Sequence, residues 1–227
     1  MRGHSDPPPS VRLLCTRVGR AAPFGPRGET SAIRKQPVIA GTQLTRLGLA
    51  GDEQADRHHH GGPDKALHHY PREHYASWRA ELPDHSLKIE THGFGENLST
   101  LGLHEGNVCV GDIFRLGRAT VQVSQARQPC WKLNVRFGLP DMAQRVQDSG
   151  RTGWYYRVLD EGKIGPDDTL DLIDRLHSDW TLDRLLRALY VDCLNPDSLN
   201  SLIGLKFLAP GWRTLASKRL TTGNVYD

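Results

Sequence analysis

Val108-Cys109-Val110-Gly111-Asp112-Ile113-Phe114-Arg115-Leu116-Gly117-Arg118-Ala119-Thr120-Val121-Gln122-Val123 decides the fold class. Val108 to Leu116 is rich in strand formers, and Ala119 to Val123 alternates apolar and polar residues with period two. Gly117-Arg118 separates them, so the segment reads as a β-hairpin. Short apolar runs recur at Val11 to Leu14, Ile33 to Ile39, Leu44 to Leu49 and Trp154 to Leu159, with a loop over Gly19 to Gly28. Many short strands with glycine turns predict a barrel or sandwich. Pro71 opens a helix through His74, Tyr75, Trp78 and Leu82, and Pro140 opens another through Met142, Ala143 and Val146. Proline suits the first helical position.

Beyond Asp179 the pattern turns helical. Leu182, Leu185, Leu186 and Leu189 form one stripe, Asn195-Pro196 breaks it, and Leu199, Leu202 and Ile203 form a second. Trp212 to Leu220 makes a third helix. Spacings of three and four place each stripe on one helix face. The expected architecture is mainly β with flanking helices (α+β). A barrel over residues 11–176 precedes a small helical domain over 177–227, and residues 1–10 form a disordered lead-in.

Composition narrows the function. Net charge is +3, from 29 basic and 26 acidic side chains among 227 residues. That balance, without a basic stripe interleaved with aromatics, argues against nucleic acid. No apolar run is long enough to cross a bilayer, and the N-terminus lacks the apolar core of a signal peptide. Cys15, Cys109, Cys130 and Cys193 form no CxxC pair, and a chain of this length needs no disulfide staples. A reducing cytoplasm is expected.

Ser124-Gln125-Ala126-Arg127-Gln128-Pro129-Cys130-Trp131-Lys132-Leu133 carries the strongest chemical signal. Pro129 stiffens the approach to Cys130, predicting a thiol presented by a loop rather than by a helix face. Arg127 and Lys132 supply the positive charge that favours thiolate. The plainer alternative is a small buried hydrophobe. In His58-His59-His60-Gly61-Gly62, consecutive histidines on an extended chain point to opposite faces and do not converge on one ion. Gly61-Gly62 lets backbone approach a ligand with His60 beside it; a simple turn with exposed histidines is the alternative. Phe94-Gly95-Glu96-Asn97-Leu98-Ser99-Thr100 offers polar groups for the edges of a heterocycle, or forms a capped turn. Thr30 and Ser31 with Arg34 and Lys35 can grip a phosphate, although no Walker pattern is present.

Together with Leu47-Gly48-Leu49-Ala50-Gly51-Asp52-Glu53-Gln54-Ala55-Asp56, Pro63-Asp64-Lys65-Ala66-Leu67, His69-Tyr70-Pro71 and Gly111-Asp112-Ile113-Phe114, these segments resemble the MOSC family, named for the C-terminal domain of molybdenum cofactor sulfurase. Within it the chain resembles the bacterial 6-N-hydroxylaminopurine resistance proteins. The resemblance covers roughly residues 10–220 and is loosest in the helical tail. It implies a β-barrel that binds molybdenum cofactor (molybdopterin-type), with Cys130 as metal ligand and, with His60, as catalytic residue. It places Ser31, Lys35, Asp52, Gly61, Gly62, Glu96, Asn97, Ser99, Ser124, Gln125 and Arg127 around the cofactor. Pyridoxal phosphate binding is a further association of the family. Glu29 stands where related sequences carry lysine, which puts phosphate anchoring by its segment in question.

The implied activity is reduction of N-hydroxylated compounds to amines. The chain has neither a GxGxxG fingerprint nor clustered cysteines for iron–sulfur, so electrons must come from a separate reductase, a flavoprotein or similar. No nucleic-acid or membrane partner is expected, and both monomer and dimer fit. Three alternatives stay open: a sulfur carrier using a Cys130 persulfide, a cysteine hydrolase pairing Cys130 with His60 or His92, and a cofactor-storage module. Cys15, Cys109 and Cys193 read as structural.

Overall fold

The computed structural model describes residues 8–56, 61–85 and 92–225. Residues 1–7 of the expected lead-in lie outside the described residues, whereas Pro9 C=O accepts Leu172 N–H and Ser10 already pairs with Asp171, so the ordered chain begins before residue 11. In the first half, β1 (Ser10–Arg12), β2 (Cys15–Val18), β3 (Ala22–Pro23), β4 (Thr30–Ser31), β5 (Gln36–Pro37), β6 (Thr42–Thr45), β7 (Gly48–Leu49) and β8 (Leu67–His69) precede α1 (His74–Glu81) and β9 (Leu98–Ser99). The hairpin follows as β10 (Ile113–Leu116) and β11 (Ala119–Ala126), joined across Gly117-Arg118 as the sequence predicts. Two helices, α2 (Lys132–Phe137) and α3 (Met142–Ser149), lead to β12 (Trp154–Asp160), β13 (Gly162–Ile164) and β14 (Thr169–Asp174). The chain ends in α4 (Leu182–Tyr190), α5 (Pro196–Gly204) and α6 (Pro210–Thr222).

Nine strands form one sheet in the order β1-β14-β10-β11-β12-β8-β9-β2-β5. Among them β8 and β9 pair in parallel. Consecutive β1 and β2 lie far apart in this order, yet only Leu13 and Leu14 separate them. Leu13 N–H donates to Asp168 C=O beyond one margin, and Leu14 N–H donates to Ser99 C=O on β9. The N-terminal segment thereby draws the sheet into a barrel. This corrects the expected single strand over Val11 to Leu14: closing the sheet needs a crossing there, not a ladder. The expected loop over Gly19 to Gly28 likewise holds β3, which pairs with β4. Val108 to Val110 is not a strand; Cys109 makes one isolated bridge to Thr181.

β11 is buried on both faces rather than on one. Its outer face is covered by the C-terminal helices, and Ala209 N–H donates to Ser124 C=O. Leu182, Leu185, Leu199, Leu202 and Trp212 belong to the same hydrophobic cluster as Phe114, Val121, Val123 and Tyr156. The helical module is thus a lid on the barrel wall, with a shared core. Thr181 caps α4 and Asn195 caps α5, each side-chain oxygen accepting a backbone N–H of the first turn.

A second cluster sets the position of Cys130. Phe94 stacks on Tyr70 at 4.2 Å between ring centroids, and Tyr75, Trp78, Leu133, Phe137, Met142 and Val146 pack around them. Leu133 and Phe137 are the buried residues of α2, so the short helix after Cys130 is pinned by this aromatic cluster. Among the described residues, no helix is long and apolar enough to cross a membrane.

Candidate functional site at Cys130

Strand ends and loops from the barrel converge on one open cavity of about 610 Å³, its mouth included. Cys130, half-buried at the end of the loop after β11, lines it with Arg127, Lys132, Lys35 and Lys65. Asp52, Glu53, Gln54, Ser31, Phe94, Gly95, Asn97, His68 and Tyr155 complete most of the wall. Four cations against two carboxylates leave the cavity positive. Cys130 C=O accepts the N–H of Leu133 at 3.0 Å, starting the first turn that leads into α2. The thiol is loop-borne, as its sequence predicts, but it sits directly against a helix that the sequence reading does not contain.

One wall is held by a buried charge pair. Lys35 Nζ lies 2.5 and 2.6 Å from the two oxygens of Asp52, with side chains 9% and 2% exposed. Asp52 also accepts Gly19 N–H at 2.7 Å and Asn97 Nδ2 at 2.8 Å. Asn97 Oδ1 in turn accepts His68 N–H at 3.0 Å. Burial pushes the Lys35 ammonium below its usual pKa of 10.5, and the Asp52 charge opposes that shift. Gly95 has φ 77°, and a Cβ there would stand 2.8 Å from Ile33 Cγ1. Glycine is therefore required for the loop to pass Ile33.

His68 was not singled out in the sequence. It is fully enclosed, and burial, reinforced by the Arg127 charge, holds it well below 6.5, hence neutral at pH 7. Its Nε2 has no hydrogen-bond partner among the described residues, and neither does Arg127 Nη1. Arg127 and Tyr155 line the cavity together. An unpaired buried donor costs about 1–3 kcal/mol, so both groups fit a site completed by a ligand. The neighbouring His69 points the other way on β8. Its ring nitrogens lie 3.1 Å from Tyr156 and Thr100 hydroxyls, and burial lowers it to about 3. Period-two alternation along the strand puts the two on opposite faces, without saying which face meets the cavity.

The cavity brings together Cys130, Ser31, Lys35, Asp52, Asn97 and Arg127 of the expected set. Other members stand elsewhere. Glu96 turns inward, where Tyr75 OH donates to its Oε1 at 2.5 Å. Ser99 Oγ donates to Tyr70 C=O at 2.8 Å, and Ser124 Oγ donates to the carbonyls of Asp64 and Tyr155. Gly61, Gly62 and Gln125 line an adjoining space against Pro210 and Trp212. His60 and its two preceding histidines lie outside the described residues. His92 Nδ1 lies 3.3 Å from Cys15 Sγ and 3.4 Å from Glu96 Oε1, so it engages Cys15 rather than Cys130. Burial, with the Glu96 charge, pushes that Cys15 thiol up to about 12, the behaviour of a structural cysteine. Glu29 folds back on Arg27, accepting its N–H and Nε, and does not line the cavity.

Among the described residues, no group of three His, Cys, Asp or Glu side chains is arranged to hold a metal ion. A metal at Cys130 would have to arrive with ligands of its own. The donor set fits such a group: one thiol, cations for an anionic tail, and orphaned polar atoms for ring edges.

Comparison with known proteins identifies the family of the fold. The MOSC domain profile matches residues 56–171, and the profile of the YiiM-like, 3-alpha helix domain matches residues 180–223. Protein YiiM of Escherichia coli (strain K12) is 45% identical over 202 residues, spanning 89% of this chain and 90% of YiiM. The crystal structure of YiiM from Escherichia coli matches with a TM-score of 0.81 at 38% identity, covering 95% of this chain and 96% of that one. A protein of Gibberella moniliformis named reductase is 41% identical over 187 residues, which span 80% of this chain but 33% of the fungal protein. The chain belongs to the MOSC domain family, with a YiiM-like three-helix domain sealing one wall of its barrel.

Proposed function

We propose that the protein is a molybdenum cofactor-dependent oxidoreductase. It reduces N-hydroxylated compounds, 6-N-hydroxylaminopurine and similar base analogues among them, to the amines in the cytoplasm. A separate flavoprotein or similar reductase supplies the electrons. The observation that carries this reading is the union, in one cavity, of the Cys130 thiol with Lys65, Lys132 and the unpaired Arg127 Nη1. The name of the fungal relative supports redox chemistry in the family.

Cys130 would hold the metal, a role suited to a soft thiolate. Arg127, Lys65 and Lys132 would hold the anionic phosphate of the pterin. Neutral His68 would meet a ring edge through Nε2. Lys35 is committed to Asp52 and shapes the wall instead. When bound, the cofactor supplies oxygen-atom transfer and the electron pair. The overall conversion of R–NHOH to R–NH₂ takes up two electrons and two protons and releases water. His60, adjacent in sequence to Gly61, is the proposed proton source.

The test is molybdenum and pterin content of wild type beside Cys130→Ser, both made in a molybdate-fed host, with 6-N-hydroxylaminopurine reduction measured in parallel. Near-stoichiometric metal in the wild type, and loss of metal and activity in the variant, are expected. A Cys130→Ser protein that reduces the substrate normally would sink the assignment. Cys130 also faces a second chamber, and that accessibility favours one competing reading, a persulfide carrier delivering sulfur to a metal centre. A folded wild type free of both metal and pterin, yet bearing a Cys130 persulfide, would decide for the carrier.

A further inference from the structure

Cys130 borders two spaces of different chemistry. The cavity described above is cationic. A second chamber of about 1400 Å³, open to solvent, shares Cys130, Lys65 and Tyr155 with it. Besides Lys65 and Asp56, the described side chains facing this chamber are neutral, and they include Gln125, Gln128, Gln147, Trp131 and Tyr190. A glutamine amide carries both donors and acceptors, which matches the alternating edge of a nitrogen heterocycle. Gln125 is 3% exposed, yet its one described side-chain hydrogen bond is a long 3.4 Å contact to Ala126 C=O. Its amide thus lines the chamber with little described hydrogen bonding of its own. Trp131, next to the thiol in sequence, is 40% exposed. An indole left open to solvent beside a reactive group is a ready stacking surface.

We infer that this second chamber is the substrate site, taking a neutral, planar nitrogen heterocycle by glutamine hydrogen bonds and aromatic stacking, while the cationic cavity keeps the anionic cofactor. The inference rests on the oxidoreductase reading above and names its substrate subsite. Enzymes that act on single bases read them in this way, by edge hydrogen bonds and stacking. It also gives the three-helix domain a part in the site. Tyr190, the last residue of α4, lines the chamber beside Gln128, two residues before Cys130. The helical domain thereby supplies part of the chamber wall through Tyr190.

The experiment titrates full-length protein with adenine, the non-reducible amine product of 6-N-hydroxylaminopurine, by calorimetry. Wild type, Gln147→Leu and Trp131→Ala are compared, and metal, pterin and thermal stability are checked on each. Both positions lie at the protein surface, so two independent variants guard against misfolding. Adenine binding in the wild type, weakened about tenfold or more in both variants (roughly 1.4 kcal/mol) with pterin content unchanged, is expected. The KM for 6-N-hydroxylaminopurine should rise in parallel. Failure of the wild type to bind adenine, or unaltered binding in both variants, overturns the substrate site. Loss of pterin in the variants overturns it too, by making the chamber part of the cofactor site. Chamber-dependent adenine binding by a protein that carries no molybdenum would instead refute the oxidoreductase reading and leave the base site standing.

Discussion

Asp52→Ala should be among the most destabilising changes at the cavity, although Asp52 makes no covalent chemistry. Its carboxylate neutralises Lys35 and accepts Gly19 N–H and Asn97 Nδ2 as well. Removing it leaves an ammonium 9% exposed without its counter-charge. Breaking one partner of a buried pair costs about 3–5 kcal/mol. With a urea m-value of about 3 kcal/mol/M, the unfolding midpoint should fall by roughly 1–1.7 M. Part of the loss is the stranded charge, so Lys35→Met on the Asp52→Ala background should restore stability. The expected coupling energy is about 2 kcal/mol, within the range for groups sharing one network. Equilibrium urea unfolding of the four proteins, followed by circular dichroism, measures the cycle. A single-mutant cost below about 1 kcal/mol, or additivity within about 0.5 kcal/mol, would show that water reaches Lys35 and that the pair does not hold the wall.

Acid sensitivity should trace in part to Glu105. Its Oε2 lies 2.7 Å from His74 Nε2, and its Oε1 accepts Gly153 N–H at 2.7 Å. Burial by itself would raise its pKa, but the charge and hydrogen bond of His74, with the Gly153 N–H, hold it below 4.5. The unfolded chain therefore takes up the proton first, so this stability is present above about pH 4.5 and is lost as pH falls through the lower native value. Glu105→Gln should cost about 1–3 kcal/mol at pH 7 and flatten the acid limb of a stability-versus-pH curve; an unchanged limb would remove Glu105 from that role. Leu185→Ala, in the core shared by α4 and the barrel, should cost about 2–5 kcal/mol. The unfolding endotherm should stay a single peak that shifts as a whole, and two separated peaks would contradict a shared core.

Local patterns announced much of this molecule. The β10–β11 hairpin was legible because alternation and a two-residue turn are short-range signals. The stripes of α4 and α5 were legible for the same reason, and their caps at Thr181 and Asn195 sit where composition places them. α2 escaped because its six residues, Lys132 to Phe137, are too few to establish a period. The resemblance collected Cys130, Arg127, Asp52, Lys35, Ser31 and Asn97, which the fold does bring together. It did not separate Glu96 from Asn97, or Gln125 from Arg127.

The sequence by itself determined where the chain alternates, turns and breaks, and which thiol stands in a basic, proline-stiffened loop. Those properties depend on neighbours a few residues apart. Only the tertiary structure decided which side of each strand is inside. Alternation defines two faces without saying what covers either, so His68 and His69 are equivalent until β8 takes its place between β12 and β9. The same pairing sends Asn97 to the cavity wall and Glu96 into the Tyr75 cluster. β11 loses its exposed face because helices some sixty residues later in the chain pack against it. That contact also puts Tyr190 beside Gln128, a juxtaposition set by the packing of two distant segments and by no pattern within either.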